Sequence, residues 1–244
     1  MTSNSSSLQI IVLHTIKHKE NGLVVQCYTD RGGRESLFIK YSNKSKGKIN
    51  ISQLHPLAIL DVELSVMKLG SMESIKEAIP IVRLASIRGD IYKSSIALFI
   101  SELILRSVRE IEENAQLYSF LSNAVLTLEN IKEGVSNFHP WFLVNFCRHL
   151  GYSPKIEHAP EEELFDIVTA EYIRTPDSET ICFNETDSLL LYLFLKSSAQ
   201  DLYQIKIDGE KRHQFIGQMI KYLSFHIGSE LKIESLDVLH EVFE

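Results

Sequence analysis

Alternating apolar and polar positions dominate the first 80 or so residues of the chain. "LQIIVLHTI" (8–16) is β-branched and apolar, and "LVVQCYT" (23–29) and "ESLFIKY" (35–41) repeat the theme. Two polar stretches separate them, "ENG" (20–22) and "DRGG" (30–33), each with a glycine suited to a tight turn. The pattern predicts a three-strand meander. In "PLAILDVELSVMKLG" (56–70), Leu60, Val62, Leu64 and Val66 share one face. Asp61, Glu63, Ser65 and Met67 share the other, as in a fourth strand. "SIKEAIPIVRL" (74–84) reads as a weaker fifth strand in which Pro80 marks an edge or a boundary. Five short strands rich in turns suit a small closed barrel, and the pattern fits an OB-fold or an SH3-like barrel equally.

From residue 90 the period changes. Residues 90–131 contain no Gly or Pro, and Ile96, Phe99, Ile100, Leu103, Ile104 and Val108 follow i, i+3, i+4 spacing. One long helix and a second after "EENAQ" are expected. "HPWFLVNFCRHLGY" (139–152) predicts a third, with Pro140 in its first turn and Gly151 at its stop. The mixed stretch that follows, with three prolines, reads as a loop with a small hairpin. "LLLYLFLKSS", "KRHQFIGQMIKYLSFHIG" and "SLDVLHEVF" predict three more helices. The expected fold class is α+β: a barrel domain over 1–82, then a helical domain over 83–244 with a hairpin insertion around 160–185.

Charge sharpens this division. Residues 1–88 hold 12 Lys and Arg against 7 Asp and Glu, a net of +5. Residues 89–244 hold 13 against 25, a net of −12. The basic third contains "KYSNKSKGK" (40–48), with Lys40, Lys44, Lys46 and Lys48 in nine positions and no acid among them. Long lysine stems on a Gly/Ser loop can follow a flexible phosphate backbone without reading bases. A run of charge can equally be a solvated face. Arg31 and Arg34 in the 30–34 turn fall at the other end of the third strand from the loop. Arg83 and Arg88 flank the domain junction and would either extend a basic track or pair between domains. Tyr28 and Tyr41 are candidates for base stacking or for barrel packing.

Catalytic and metal signatures are missing from the sequence. GxGxxG, GxxxxGK[ST], HExxH and GxSxG do not occur. Cys27, Cys147 and Cys182 lie far apart, which predicts reduced thiols, no metal and no cofactor. "MTSNSSS" lacks the features of a secretory signal, and the longest apolar run, "LLLYLFL", is too short for a membrane span, so a cytoplasmic, non-enzymatic protein is expected.

The joint order of "YTDRGGRESLFIKYSNKSKGK", "HPLAILDVEL", "FHPWFLVNFCRHLGYSP" and "YLSFHIGSELKIESLDVLHEVF" resembles the RecO family of bacterial recombination mediators, over nearly the whole chain. The resemblance implies an OB-fold followed by a helical domain. It also implies binding of single-stranded DNA, annealing of complementary strands and loading of RecA on strands coated by single-strand-binding protein (SSB). RecR and the acidic SSB tail would be partners, at the nucleoid. Many members of that family carry four zinc-binding cysteines in the region of 155–185. Here only Cys182 is present, so a metal-free hairpin is expected. In some members basic residues that receive the SSB tail open the helix matching 138–152. Here His139, Pro140 and Trp141 stand there, and Arg148 is the only Lys or Arg in the stretch. The partner-binding candidates are therefore Arg106, Trp141 and Arg148, with "KRH" (211–213) a further anion contact. The alternative is a protein-interaction adaptor whose barrel does not touch DNA and whose lysines only keep it soluble.

Overall fold

The structure is a computed structural model that describes residues 7–19, 22–40, 49–65, 72–109, 112–156, 160 and 162–243. Five strands form a closed barrel: β1 (Ser7–His18), β2 (Gly22–Thr29), β3 (Gly33–Lys40), β4 (Ile59–Ser65) and β5 (Ser74–Pro80). Their order around the barrel is β1-β2-β3-β5-β4, with β4 closing antiparallel on β1 and β3 meeting β5 in parallel. That order settles the choice left open by the strand count in favour of an OB-like barrel. The alternating positions point inward as the pattern predicts. Ile10, Val12, Val25, Cys27, Leu37, Ile39, Leu60 and Val62 form one buried cluster, with Leu64 packed against it.

The fifth strand is shorter than its apolar pattern suggests. Pro80 has no N–H to donate, and the strand stops there. Residues 81–84 lead instead into a short helix, α1 (Ala85–Gly89). Helices α2 (Ile91–Ser107) and α3 (Ala115–Asn130) follow, then α4 (Phe138–His149), a small hairpin of β6 (Leu164–Asp166) and β7 (Glu171–Ile173), α5 (Glu185–Lys196), α6 (Gly209–Ile227) and α7 (Ser235–Phe243). Single-turn 3-10 segments at Ile51–Gln53 and Val135–Asn137, and a longer one at Ala199–Gln204, lack the periodicity that sequence patterns detect.

The chain divides into two compact units. One comprises Met1–Asp90 with Ala97–Leu126, and the other Ile91–Ile96 with Thr127–Glu244. In the first, the barrel packs on the helical stretch 97–126. Tyr28 is only 1% exposed and stacks on Tyr118 of α3, ring centroids 6.5 Å apart. Tyr28 is thus a packing residue, and base stacking by it is corrected: its ring is already covered.

In the second unit, α4 buries Phe138, Phe142, Leu143 and Phe146 completely. The hairpin is held by Phe165, whose ring meets Tyr172, Phe183 and Tyr222 at 5.2–5.4 Å. Among the described residues no group of three His, Cys, Asp or Glu side chains is placed to hold a metal ion. None of the described helices is long and apolar enough to cross a membrane.

His139 gives this unit a pH response. Its side chain is buried at 2% exposure, and burial, with the neighbouring Arg212 guanidinium, holds the imidazole well below its usual pKa. In the unfolded chain the same group protonates near its ordinary value, so stability is full above that value and falls as pH drops below it. Between about pH 7.5 and 5.5 this single group contributes a loss on the order of 1 kcal/mol. Urea melts of the parent and of His139→Phe at the two pH values check this. The variant should lose less stability on acidification by about that amount.

Candidate nucleic-acid interface

The barrel unit carries a cleft of about 300 Å³ lined by the basic side chains of Arg83 and Arg88. Its floor is Ala58, Ile59 and Leu60 at the start of β4. One wall is the 3-10 turn at Ile51–Gln53, whose Asn50 carboxamide oxygen accepts from the Ser52 N–H at 3.0 Å. The other wall is the segment after Pro80, with Arg83 and Arg88. Strand termination at Pro80 makes this wall, because the chain must leave the sheet and turn into α1. The two arginines are five positions apart, both are exposed, and both line the same cleft. Neither side chain has a hydrogen bond or ion pair to another described residue.

The floor is held in an unusual backbone conformation. Leu57 is buried and has φ +64°, in the left-handed region where a branched side chain costs about 1–2 kcal/mol. Two backbone bonds hold it there, Leu57 N–H to Val12 at 2.7 Å and Val12 N–H to Ala58 at 2.9 Å. They fall where β1 shifts register between Val12 and His14. A bulge on β1 therefore fixes the angle at which Ala58 and Ile59 enter the cleft.

The remaining basic candidates distribute around this cleft unevenly. The sheet ladder runs Pro80, Leu60, Ile10, Thr29, Gly33 along one rung. The turn bearing Arg31 and Arg34 is thus at the cleft's end of the strands. Arg34 pairs across from Tyr28, in the rung of Ile59, roughly 14 Å away along the sheet at ~4.8 Å per strand. Arg31 is exposed, 3.9 Å from Asp30. Arg34 is half-buried and donates from Nη1 to the Leu105 carbonyl at 2.6 Å. This bond caps an orphan carbonyl in the last turn of α2, where a cation also complements the helix dipole. Lys40 is exposed at the far end of β3, paired with Gly22. Lys44, Lys46 and Lys48 lie outside the described residues, as does Tyr41. In sequence, Lys48 stands two positions before Asn50 on the cleft wall.

The partner-binding candidates occupy two different units. Arg106 of the first unit pairs with Glu102 one turn earlier at 3.0 Å. In the second unit Trp141 donates from Nε1 to the Ser197 carbonyl at 3.1 Å and packs on Phe138. Arg148 follows two turns later on α4 and donates to Asn145 Oδ1 at 3.2 Å. A second cleft of that unit, about 630 Å³, is lined by Asn137, Tyr203, Lys206, Asp208, Lys211 and Arg212 among others. Sequence reasoning touched only its 211–213 edge. Asn137 and Arg212 are 75 positions apart, and no local spacing announces their pairing.

An OB-like barrel is an architecture often used in nucleic-acid binding, and here it is followed by a helical unit. Residues 3–82 match the family model described as recombination protein O N terminal, and residues 88–234 match the one described as recombination protein O C terminal. The chain is 30% identical over 235 residues to the DNA repair protein RecO of Flavobacterium johnsoniae, covering 96% of this chain and 97% of that one. It is 28% identical to the protein of that name from Phocaeicola vulgatus and 26% identical to that from Azobacteroides pseudotrichonymphae, with the same coverage. The chain belongs to the RecO family.

Proposed function

We propose that this chain binds single-stranded DNA through the barrel, anneals complementary strands, and works with RecR to place RecA on DNA coated by SSB, whose acidic tail would dock on the helical unit. The observation that carries the DNA-binding step is the barrel cleft. Two guanidiniums, Arg83 and Arg88, line it with no acid paired to them among the described residues, and in sequence the lysine-bearing stretch 40–48 ends two positions before Asn50 of its wall. The exposed arginine side chains supply positive charge, which suits a polymer of phosphates. Annealing needs no bond made or broken. Charge neutralisation lets two strands approach and pair, so the reading requires no catalytic group. The net charge of −12 on residues 89–244 supports an approach of DNA from the barrel side.

Fluorescence anisotropy of a short labelled single strand across a salt series tests this. Binding is expected at low salt, with a log–log slope of about −3 to −4, as for neutralising roughly four to six phosphates on a single strand. Absence of binding in dilute buffer would overturn the reading and favour the adaptor alternative.

A further inference from the structure

The 630 Å³ cleft of the second unit has a charge that its surroundings do not explain. Arg212 is buried, at 7% exposure, and the one carboxylate whose charge acts on it, Asp208, pairs directly with Lys211 instead. Its bonds go to neutral oxygens: Nε to Asn137 Oδ1 at 3.2 Å and Nη2 to the Ile207 carbonyl at 2.9 Å. Asn137 is itself buried and fully used, donating to the Leu202 and Ile205 carbonyls at 2.9 and 2.7 Å. A buried cation is costly to retain unless an anion compensates it. Lys206 adds a second cation on the rim, bonded to the Tyr203 carbonyl at 2.9 Å, and Lys211 a third, 3.2 Å from Asp208. Three cations against the one carboxylate of Asp208 leave the cleft at +2, inside a portion of the chain that is strongly acidic.

The shape of the cleft is built rather than incidental. Gly134 lines it with φ +71°, and a Cβ there would lie 2.6 Å from the Tyr203 backbone nitrogen. The approach of these two segments therefore needs glycine, and it sets the phenol of Tyr203, 45% exposed, at the rim. The only long aliphatic side chains in the lining are Ile205 and Ile207, so the cleft offers no apolar trough for the hydrophobic residues of a peptide. A compact dianion beside an aromatic ring fits it better. We propose that this cleft binds a phosphate monoester carrying a nucleobase, with the phosphate on Arg212, Lys206 and Lys211 and the base against Tyr203. The ligand is a nucleoside 5′-monophosphate, either free or at the phosphorylated end of a DNA strand.

Isothermal titration calorimetry of the full chain with adenosine 5′-monophosphate, adenosine and inorganic phosphate tests this. The monophosphate should bind with a Kd on the order of 0.1 mM, and adenosine at least about tenfold more weakly. The double variant Lys206→Glu/Lys211→Glu, changed at two rim side chains, should weaken the monophosphate by about tenfold or more. Tyr203→Ala should weaken the monophosphate while leaving inorganic phosphate unchanged. A 5′-phosphorylated strand that outbinds its 5′-hydroxyl counterpart, with the gap lost in the double variant, places the ligand at a strand end. Equal binding of the two strands, with the free nucleotide still bound, makes it a free nucleotide. The proposal is overturned if monophosphate and adenosine bind alike, or if the double variant binds the monophosphate as the parent does. It is also overturned if an acidic peptide binds in a Lys206- and Lys211-dependent way while the nucleotide does not. These variants lie outside the barrel, so the outcome is independent of DNA binding there.

Discussion

Arg83→Glu/Arg88→Glu is expected to lose about 2–3 kcal/mol of affinity for a short single strand at low salt, roughly thirty- to a hundredfold. Each substitution removes a charge-assisted phosphate contact and puts a like charge in its place. Both side chains are exposed and make no bonds to other described residues, so the fold should be untouched, with the thermal midpoint within a degree or two of the parent. Anisotropy at two salt concentrations reads the effect, and the salt slope should flatten by about one and a half. Lys44→Glu/Lys46→Glu/Lys48→Glu should act in the same direction. Unchanged affinity in the arginine variant would remove the cleft from the interface, and unchanged affinity in the lysine variant would remove the loop.

The largest expected effect on stability lies in the second unit. Phe165→Ala should lower the unfolding free energy by about 3–5 kcal/mol, read from urea denaturation. Phe165 is fully buried and is the hub of four aromatic rings. Its backbone also joins the hairpin to its surroundings, with its N–H on Ser188 Oγ at 3.0 Å and its carbonyl accepting from Phe183 at 2.8 Å. Asp166 adds a local clamp, accepting from the Val168 N–H and from Thr169 Oγ1. Where a hairpin this short relies on packed rings, loss of one ring leaves a cavity that three-residue strands cannot collapse to fill. A loss under 1 kcal/mol would show that the cluster is not what holds the hairpin.

The sequence disclosed these two regions unequally, for physical reasons. Strand alternation and the change to helical period at residue 90 are local properties, and the elements follow them closely. Pro80 also acted as a local signal, and the strand ends on it. What the pattern did not carry was the turn from Pro80 into α1, since "IVRL" is apolar enough to continue a strand, and Ile81 still bonds to the Ile59 carbonyl before the chain turns away. Local charge marked Arg31, Arg34, Arg83, Arg88 and the lysines as separate candidates. Yet nothing local distinguishes Arg34, which is spent on the Leu105 carbonyl 71 positions away, from Arg31, which is exposed. The same holds for Tyr28. An aromatic on a half-polar strand reads alike whether its ring faces a base or a tyrosine 90 positions later. Contacts between distant segments decide such cases, and they are a property of the closed barrel and its helical wall, not of spacing.

The seam between the two family segments, at residues 82–88, does not coincide with the seam in the packing. The barrel's outer wall is drawn from residues 97–126, which belong to the C-terminal segment. A barrel exchanged between relatives at residue 85 would arrive without the ring that Tyr28 rests on. A graft that keeps this contact must carry the stretch through Leu126 along with the strands.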